Sequence, residues 1–168
     1  EGVGVAAPGI GYIYSGLKNF GQFEHTQPFS VECWFKSSAT AAVNYFLIGT
    51  SSTSGGTRIG YKLIYRKTID KVEFNIQDAA ANLATATATV VAGDGVWRHY
   101  VGTWDGNGNI NLYVDNVPTI DISVTPFTAT IKTGLDYDLK VAGTSTAVAT
   151  AYHGLRAGHF IDEATVYP

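Results

Sequence analysis

Apolar and polar side chains alternate one by one along much of this chain. In residues 58–67 every second position is apolar, and these positions are Ile59, Tyr61, Leu63 and Tyr65. Residues 72–77 follow the same rule, with Val72, Phe74 and Ile76 as their apolar members. Because successive side chains of a β-strand point to opposite faces of a sheet, this period of two predicts half-buried strands. The polar segment 68–71 between them predicts a turn, so the pair is predicted to form a hairpin.

The middle of the chain carries the clearest hairpin pattern. Residues 97–104 and 110–114 alternate, and they flank the Gly- and Asn-rich segment 105–109, whose composition tolerates left-handed backbone conformations. A second tight turn is predicted at Asp115-Asn116, where Asn116 would adopt the left-handed conformation more often taken by Gly. Further alternating segments predict strands over residues 119–124, 135–141 and 160–167.

Residues 84–91 leave two interpretations open. Ala alternates here with Thr85, Thr87 and Thr89. Ala favours a helix, whereas three β-branched Thr followed by two Val favour a strand. We expect a strand with a hydroxyl-lined outer face and a small-residue inner face.

Many short strands between Gly-, Asn- and Ser-rich turns, without a long helical pattern, predict an all-β antiparallel sandwich or barrel. A chain of 168 residues fits one domain. Residues 1–168 are therefore predicted to form a single module. Because the chain contains no Met, including at position 1, we expect the module to be part, or a processed product, of a larger protein or assembly.

Composition excludes several classes of function. Charged residues make up 15% of the chain and the formal net charge is −3, so no basic field attracts phosphates and we expect no nucleic-acid partner. We also expect no membrane insertion, since no apolar run approaches the roughly 18 residues that cross a bilayer. Cys33 is the only cysteine, which excludes an internal disulfide and a Cys-based metal cluster. Its apolar surroundings predict a buried, inert thiol.

Three segments in a fixed order resemble a known family. They are Phe-Ser-Val-Glu-Cys-Trp-Phe-Lys at 29–36, Trp-Arg-His at 97–99 with Leu-Tyr-Val-Asp-Asn at 112–116, and Ile-Asp-Glu at 161–163. Together they are similar to the concanavalin A-like lectin/glucanase superfamily, in particular its laminin-G-like, pentraxin-like branch. The resemblance implies a two-sheet antiparallel jelly-roll sandwich whose first and last strands are adjacent. It also implies calcium as a candidate cofactor, because Asp162 matches the family's Ile-Asp-Glu segment.

Catalytic patterns are absent from the sequence. Hydrolases that share this fold carry carboxylates as Glu-x-Asp-x-x-Glu on one strand, a spacing not found here. Asp162 and Glu163 are adjacent, and neighbours on a strand face opposite ways, so we expect that they do not line one cleft. His99 has the parity of Trp97 and Val101 and is predicted to be a packed core histidine. We therefore predict that the protein is not an enzyme, with a glycoside hydrolase as the weakest alternative.

Binding has more support, because sugar recognition combines an aromatic face with polar groups for the hydroxyls. Segments with that mixture contain the candidate ligand-binding residues Asn44, Tyr45, Trp104, Asp136, Tyr137, Tyr152 and His153. Each has a structural alternative. Tyr45 could begin a strand, Tyr137 has core parity, and Tyr152 could pack on a loop. Trp34, Trp97 and Trp104 are predicted to be structural, although Trp104 has the opposite parity to His99 and lies beside the Gly-rich turn, so its exposure decides its role.

Two functional hypotheses follow. The first is a non-catalytic recognition module, carbohydrate-binding or adhesive, whose partner is a glycan or a protein surface. The second is a structural jelly-roll domain of a virion, fibre or surface assembly, whose partners are copies of itself or other subunits. Both predict a location that is extracellular, on the cell surface or on the virion surface.

Overall fold

The computed structural model describes residues 13–14, 21–38, 44–50, 58–91, 93–132, 139–141, 152–153 and 159–168. The strands, in chain order, are β1 (Ile13–Tyr14), β2 (Phe29–Ser37), β3 (Asn44–Gly49), β4 (Gly60–Arg66), β5 (Lys71–Gln77), β6 (Leu83–Thr89), β7 (Arg98–Trp104), β8 (Ile110–Val114), β9 (Val117–Pro118), β10 (Asp121–Val124), β11 (Lys140–Val141), β12 (Tyr152–His153) and β13 (His159–Tyr167). A single 3-10 turn at Lys67–Ile69 is the helical element of the described part.

The strands form two layers. Eight strands form the large sheet, in the order β1-β11-β3-β4-β5-β6-β10 with β12 beside β3. Five strands form the small sheet, in the order β13-β2-β7-β8-β9. The pairing of β12 with β3 is parallel, and the other described pairings are antiparallel. The predicted antiparallel two-sheet jelly-roll sandwich is confirmed.

The predicted hairpins are present. β4 and β5 pair from Gly60 with Gln77 to Arg66 with Lys71, and the turn between them ends at Asp70, a left-handed residue with φ of 53°. The turn after β8 contains two left-handed residues, since φ is 51° at Asp115 and 67° at Asn116. The expected role of Asn116 is confirmed, and Asp115 shares it.

The strand predicted for residues 84–91 is confirmed over residues 84–89. β6 pairs along its whole length with β5. Ala84 and Ala86 are fully buried, while the Thr85 hydroxyl on the opposite face donates a hydrogen bond of 2.7 Å to Asn75 Oδ1. The β-branched Thr residues outweigh the helix propensity of Ala because the large sheet supplies neighbours for both faces.

The chain closes on its first long strand. β13 pairs with β2 in the small sheet, whereas the two-residue β1 pairs with β11 in the large sheet. The expectation that the first and last strands are adjacent therefore holds for β2 and is wrong for β1. The β13–β2 pairing places the Ile-Asp-Glu segment beside the aromatic strand β2.

The core lies between the two sheets and draws on both. The small sheet contributes Phe29, Val31, Cys33 and Phe35 from β2, all at most 3% exposed. The Phe29 ring lies 4.8 Å from Tyr61 and 6.2 Å from Phe74, which belong to the large sheet. Burial raises the pKa of the Cys33 thiol, so the predicted buried, inert cysteine is confirmed.

Gly102 lies directly against the opposite layer. A Cβ at this β7 position would lie 2.5 Å from Cγ of Phe74 in the large sheet. No side chain larger than hydrogen fits without displacing that ring.

Among the described residues, no helix is long and apolar enough to cross a membrane.

Candidate functional site: an aromatic cleft on the small sheet

The outer face of the small sheet carries an aromatic and acidic row. Trp34 on β2 pairs directly with His99 on β7 and with Asp162 on β13. Directly opposed residues of antiparallel strands project from the same face. Trp34 faces outward because its β2 neighbours Cys33 and Phe35 fill the core. Three strands thus present Asp162, Trp34 and His99 side by side.

A second tryptophan borders this row. Trp97, immediately before β7, is 38% exposed, and the ammonium nitrogen of Lys36 lies 5.2 Å from its ring centroid. At this distance the cation is attracted to the indole face. The stem of Lys36 and the ring of Trp97 thus form one wall of the outer face.

A bulge brings an additional carboxylate to the same place. The register between β13 and β2 shifts between Asp162 and Thr165, and Glu163 there has a φ of 47°. The Asp162 carboxylate accepts a hydrogen bond of 2.9 Å from the Glu163 backbone N–H. The bulge interrupts the alternation of side chains, so Glu163 is not directed to the opposite face.

Trp34, Trp97, Asp162 and Glu163 line one open cleft of about 260 Å³, here called the aromatic cleft. The expectation that Asp162 and Glu163 cannot line one cleft is wrong. It assumed regular strand geometry, and the left-handed residue at the bulge removes that geometry. The cleft therefore combines two indole faces with two carboxylates.

A chain of polar contacts lies beside the cleft on the same face. The Tyr167 hydroxyl donates a hydrogen bond of 2.7 Å to Glu32 Oε1, and this bond raises the pKa of Tyr167. The other oxygen of Glu32 lies 3.2 Å from His99 Nε2. The His99 ring in turn stacks on Trp34, with centroids 5.0 Å apart and planes inclined by 20°. Tyr167, Glu32 and His99 together fix the orientation of the Trp34 indole.

The predicted core position of His99 is wrong. His99 does share the parity of Trp97 and Val101, but that parity belongs to the outer face, and the His99 side chain is 23% exposed. The inward parity of β7 belongs to Tyr100, Gly102 and Trp104. His99 is thus a support of the aromatic cleft.

Two candidate ligand-binding residues are core residues instead. Trp104 is 4% exposed, its indole N–H donates to the His25 carbonyl at 2.6 Å, and its ring packs 5.1 Å from Phe127. Tyr45 is completely buried and its ring lies 6.4 Å from Phe35. Their inward parity places both side chains between the sheets, which argues against ligand contact.

The remaining candidates do not converge on one described site. Asn44 lies at the start of β3 and accepts a hydrogen bond of 3.0 Å from the Thr68 hydroxyl. The backbone of Tyr152 and His153 runs parallel to β3 opposite Asn44 and Tyr45. Asp136 and Tyr137 lie outside the described residues. These five residues stay predictions.

The sequence contained a signal for part of the aromatic cleft. Phe29, Val31, Cys33 and Phe35 share one parity, which assigns Trp34 to the other face. The prediction that Trp34 is structural did not use this signal. Glu163 had no such signal, since a bulge follows from tertiary packing and not from alternation.

The described residues give no support for a metal site. Among them, no group of three or more His, Cys, Asp or Glu side chains could hold a metal ion. Asp162 is exposed and its carboxylate accepts the Glu163 backbone bond. Calcium stays a prediction.

The sequence model of the concanavalin A-like lectin/glucanases superfamily (Laminin_G_3) matches residues 11–167. The chain belongs to this family. No curated protein sequence matches it. The family assignment confirms the resemblance carried by the Trp-Arg-His and Ile-Asp-Glu segments.

Solved structures of the same sandwich are similar to this family member. The botulinum neurotoxin serotype D binding domain is 14% identical, with a TM-score of 0.64 over 97% of this chain and 37% of that chain. Carbohydrate-binding module CBM66 from Bacillus subtilis is 13% identical, with a TM-score of 0.54 over 97% of this chain and 84% of that chain. CBM40 of the Ruminococcus gnavus IT-sialidase, bound to α2,3 sialyllactose, is 15% identical, with a TM-score of 0.58 over 84% of this chain and 76% of that chain.

These likenesses establish the fold of the lectin-like chain. The chain spans 37% of the toxin binding domain, so it corresponds to one part of that larger structure.

Proposed function

We propose that this protein is a non-catalytic glycan-binding module of a secreted or surface-displayed protein, and that the aromatic cleft is its binding site. One observation carries the proposal: Trp34, Trp97, Asp162 and Glu163 line the same open cleft. A pyranose ring covers an indole with its C–H patch while its hydroxyls donate to carboxylates. The four side chains supply both kinds of contact.

The charge of the cleft narrows the class of glycan. Both acidic side chains in its lining, Asp162 and Glu163, are exposed, and no cation is among its described lining residues. An anionic sugar would be repelled by the two carboxylates. The proposed ligands are therefore neutral or amino sugars.

The structural comparisons support a binding role. Two of the similar structures are carbohydrate-binding modules, and one of them is bound to a saccharide, α2,3 sialyllactose. The similar toxin structure is likewise named a binding domain. Their shared sandwich supports recognition of glycans, with a protein surface as the alternative partner.

A substitution on the cleft wall tests the proposal. A glycan array identifies a neutral ligand, and calorimetry then compares the wild type with Trp97→Ala. We expect at least a tenfold loss of affinity, because an aromatic anchor of a binding site contributes about 2 kcal/mol or more. Tyr113→Ala is the matched control, since Tyr113 is a half-buried aromatic of the same sheet and does not line the cleft.

Two results would contradict the proposal. An array that stays blank with and without calcium removes the glycan role. Hydrolysis of a polysaccharide that disappears in Glu163→Gln or Asp162→Asn would replace binding by catalysis.

A structural role in an assembly is the second candidate function, and one exposed apolar edge favours it. Val117, Ile120, Ile122 and Val124 on and beside β9 and β10 are 37% to 98% exposed. An exposed apolar strand edge pairs readily with another chain, here a second copy. Sedimentation that shows oligomers for the wild type and monomers for Ile120→Asp would support this function, whereas a monomeric wild type would count against it.

A further inference from the structure

The outer face of the large sheet holds a second cleft of about 290 Å³. Its floor is a row across three strands, where Lys62 of β4 pairs with Asn75 of β5 and Asn75 pairs with Thr85 of β6. We call this feature the basic cleft, defined by Arg58, Lys62, Arg66, Glu73, Asn75 and Thr85. Its volume is at the lower end of the range of small-molecule sites, about 300 Å³.

The lining of the basic cleft is positively charged on a negatively charged protein. Arg58, Lys62 and Arg66 are opposed by Glu73, the one carboxylate among the described lining residues. Glu73 Oε2 lies 2.7 Å from the Arg66 guanidinium and accepts a hydrogen bond of 3.1 Å from Asn75. With three positive side chains and one negative side chain, the lining carries a net charge of +2. The net charge of the whole chain is −3.

Lys62 is the cation held most deeply in this cleft. The residue is 7% exposed, and burial, followed by the nearby Arg58 and Arg66, lowers its pKa to about 8, while Glu73 acts in the opposite direction. On the other side of β4, strand β3 contributes no acidic residue. A buried cation with excess positive charge around it is stabilised by a bound anion.

The uncharged part of the lining is rich in hydrogen-bonding groups. The Thr85 hydroxyl and the Asn75 side chain are bonded to each other at 2.7 Å, and the Gln77 amide contacts the Ala81 carbonyl at 3.4 Å. These bonds hold the polar groups in place beside the cations. Hydroxyls and amides next to a positive charge match a ligand that has both hydroxyls and an oxyanion.

We propose that the basic cleft is a second binding site, which takes a saccharide bearing a carboxylate or a sulfate. Lys62 and the two arginines bind the oxyanion, while Asn75, Gln77 and Thr85 bind sugar hydroxyls. This site goes beyond the glycan-binding function proposed above, because it lies on the other sheet and selects the opposite ligand charge.

Calorimetry and amide NMR on the full chain test the proposal with four probes, namely glucuronic acid, a hexose sulfate, glucose and inorganic sulfate. We expect the two acidic sugars to bind and to shift the Asn75 and Gln77 side-chain amide signals. Lys62→Gln is expected to weaken this binding about tenfold or more, since a hydrogen bond to a charged group contributes that much. Arg58→Gln, at an exposed position, is expected to weaken it several-fold without a risk to folding.

Lys67→Gln is the matched control, because it removes the same charge from the adjoining turn outside the cleft lining. Lys62→Arg sharpens the test. Wild-type affinity should fall as pH rises through about 8, and in Lys62→Arg this fall should vanish because Arg stays charged.

Three results would overturn the proposal. Glucose that shifts the Asn75 and Gln77 amide signals at the same concentrations as glucuronic acid removes the role of the cations. Equal losses in Lys67→Gln and Lys62→Gln show a general charge effect. Inorganic sulfate that binds as tightly as the hexose sulfate removes the saccharide from the assignment. Trp97→Ala should leave acidic-sugar binding unchanged, so this site and the aromatic cleft are tested independently.

Discussion

The two outer faces of this sandwich follow the same strand alternation and carry opposite chemistry. The small sheet presents two indoles and the carboxylates of Asp162 and Glu163. The large sheet presents Arg58, Lys62 and Arg66 among amides and a hydroxyl, without an aromatic residue in its described lining. The main core lies between these two faces, and packing constrains its inward positions. Ligand chemistry in this fold is therefore a property of the outward positions of each sheet.

The largest expected effect would break both faces at once. Gly102→Leu places a side chain where even a Cβ lies 2.5 Å from the Phe74 ring, so the sheets must separate. We expect a loss of about 3 kcal/mol or more in the free energy of unfolding, at the upper end for overpacking. Urea unfolding measures it, and both clefts should lose ligand together. Thr103→Ala, at the neighbouring outward position, is the control and should change stability by less than about 1 kcal/mol.

A second substitution should weaken the large sheet and leave the aromatic cleft intact. Asp78, in the loop after β5, accepts hydrogen bonds from the backbone N–H groups of Asn82, Thr128 and Ala129 at 2.8 to 3.0 Å. Asp78→Asn turns one acceptor oxygen into a donor that faces these N–H groups. We expect a loss of about 2 kcal/mol in unfolding free energy, as for a buried charged acceptor, and reduced acidic-sugar affinity.

The same carboxyl predicts a pH dependence. Burial opposes ionisation of Asp78, but the hydrogen bonds from Asn82, Thr128 and Ala129 outweigh it and lower its pKa. A lowered folded pKa means that the stabilisation is complete above the unfolded value, about 3.9, and is lost as pH falls through the folded pKa. Urea unfolding at pH 7 and near pH 2 should show this loss in the wild type and a smaller loss in Asp78→Asn. Asp70→Asn, at an exposed left-handed position, should behave like the wild type.

Neutralising the aromatic cleft should show that the two faces bind their ligands independently. Asp162→Asn with Glu163→Gln removes both carboxylates and keeps acceptor oxygens. We expect about a tenfold loss of affinity for a neutral glycan, since charge-assisted hydrogen bonds become ordinary ones. Acidic-sugar affinity at the basic cleft should change less than twofold. Calorimetry of the double variant with both ligands measures this, and equal losses would show that the faces are not independent.

The smallest expected effect concerns the support of Trp34. Tyr167→Phe removes the hydrogen bond to Glu32 and keeps the ring. His99 and the Trp34 indole stacked on it become less constrained. We expect a two- to threefold lower affinity for a neutral glycan, less than for a direct hydrogen bond to the ligand, because the lost bond acts only through His99 and Trp34. Titration by tryptophan fluorescence measures it. An unchanged affinity would show that the stack on His99 suffices.

The strand pattern was predictable wherever local rules apply. The β4–β5 hairpin, the left-handed Asn116 and the Ala and Thr faces of β6 all follow from side-chain alternation and turn propensity. The outward position of Trp34 was also accessible from the parity of Phe29 to Phe35. The candidate site was less predictable, because parity groups residues on a face and does not say which face is inside. For this reason His99 on β7 was predicted to lie in the core although it faces outward, and Trp104 was a candidate ligand-binding residue although it faces inward.

The sequence alone determined an all-β sandwich of one family. The side-chain period of two, together with the three ordered motifs, can be recognised without knowledge of contacts. Tertiary structure decided which parity of each strand is covered by the other sheet, and so which residues are free for a ligand. It also produced the bulge at Glu163. There the pairing of β13 with β2 breaks the alternation, and the Glu163 carboxylate is directed to the aromatic cleft. Both decisions depend on strands distant in sequence, and local patterns carry no information about them.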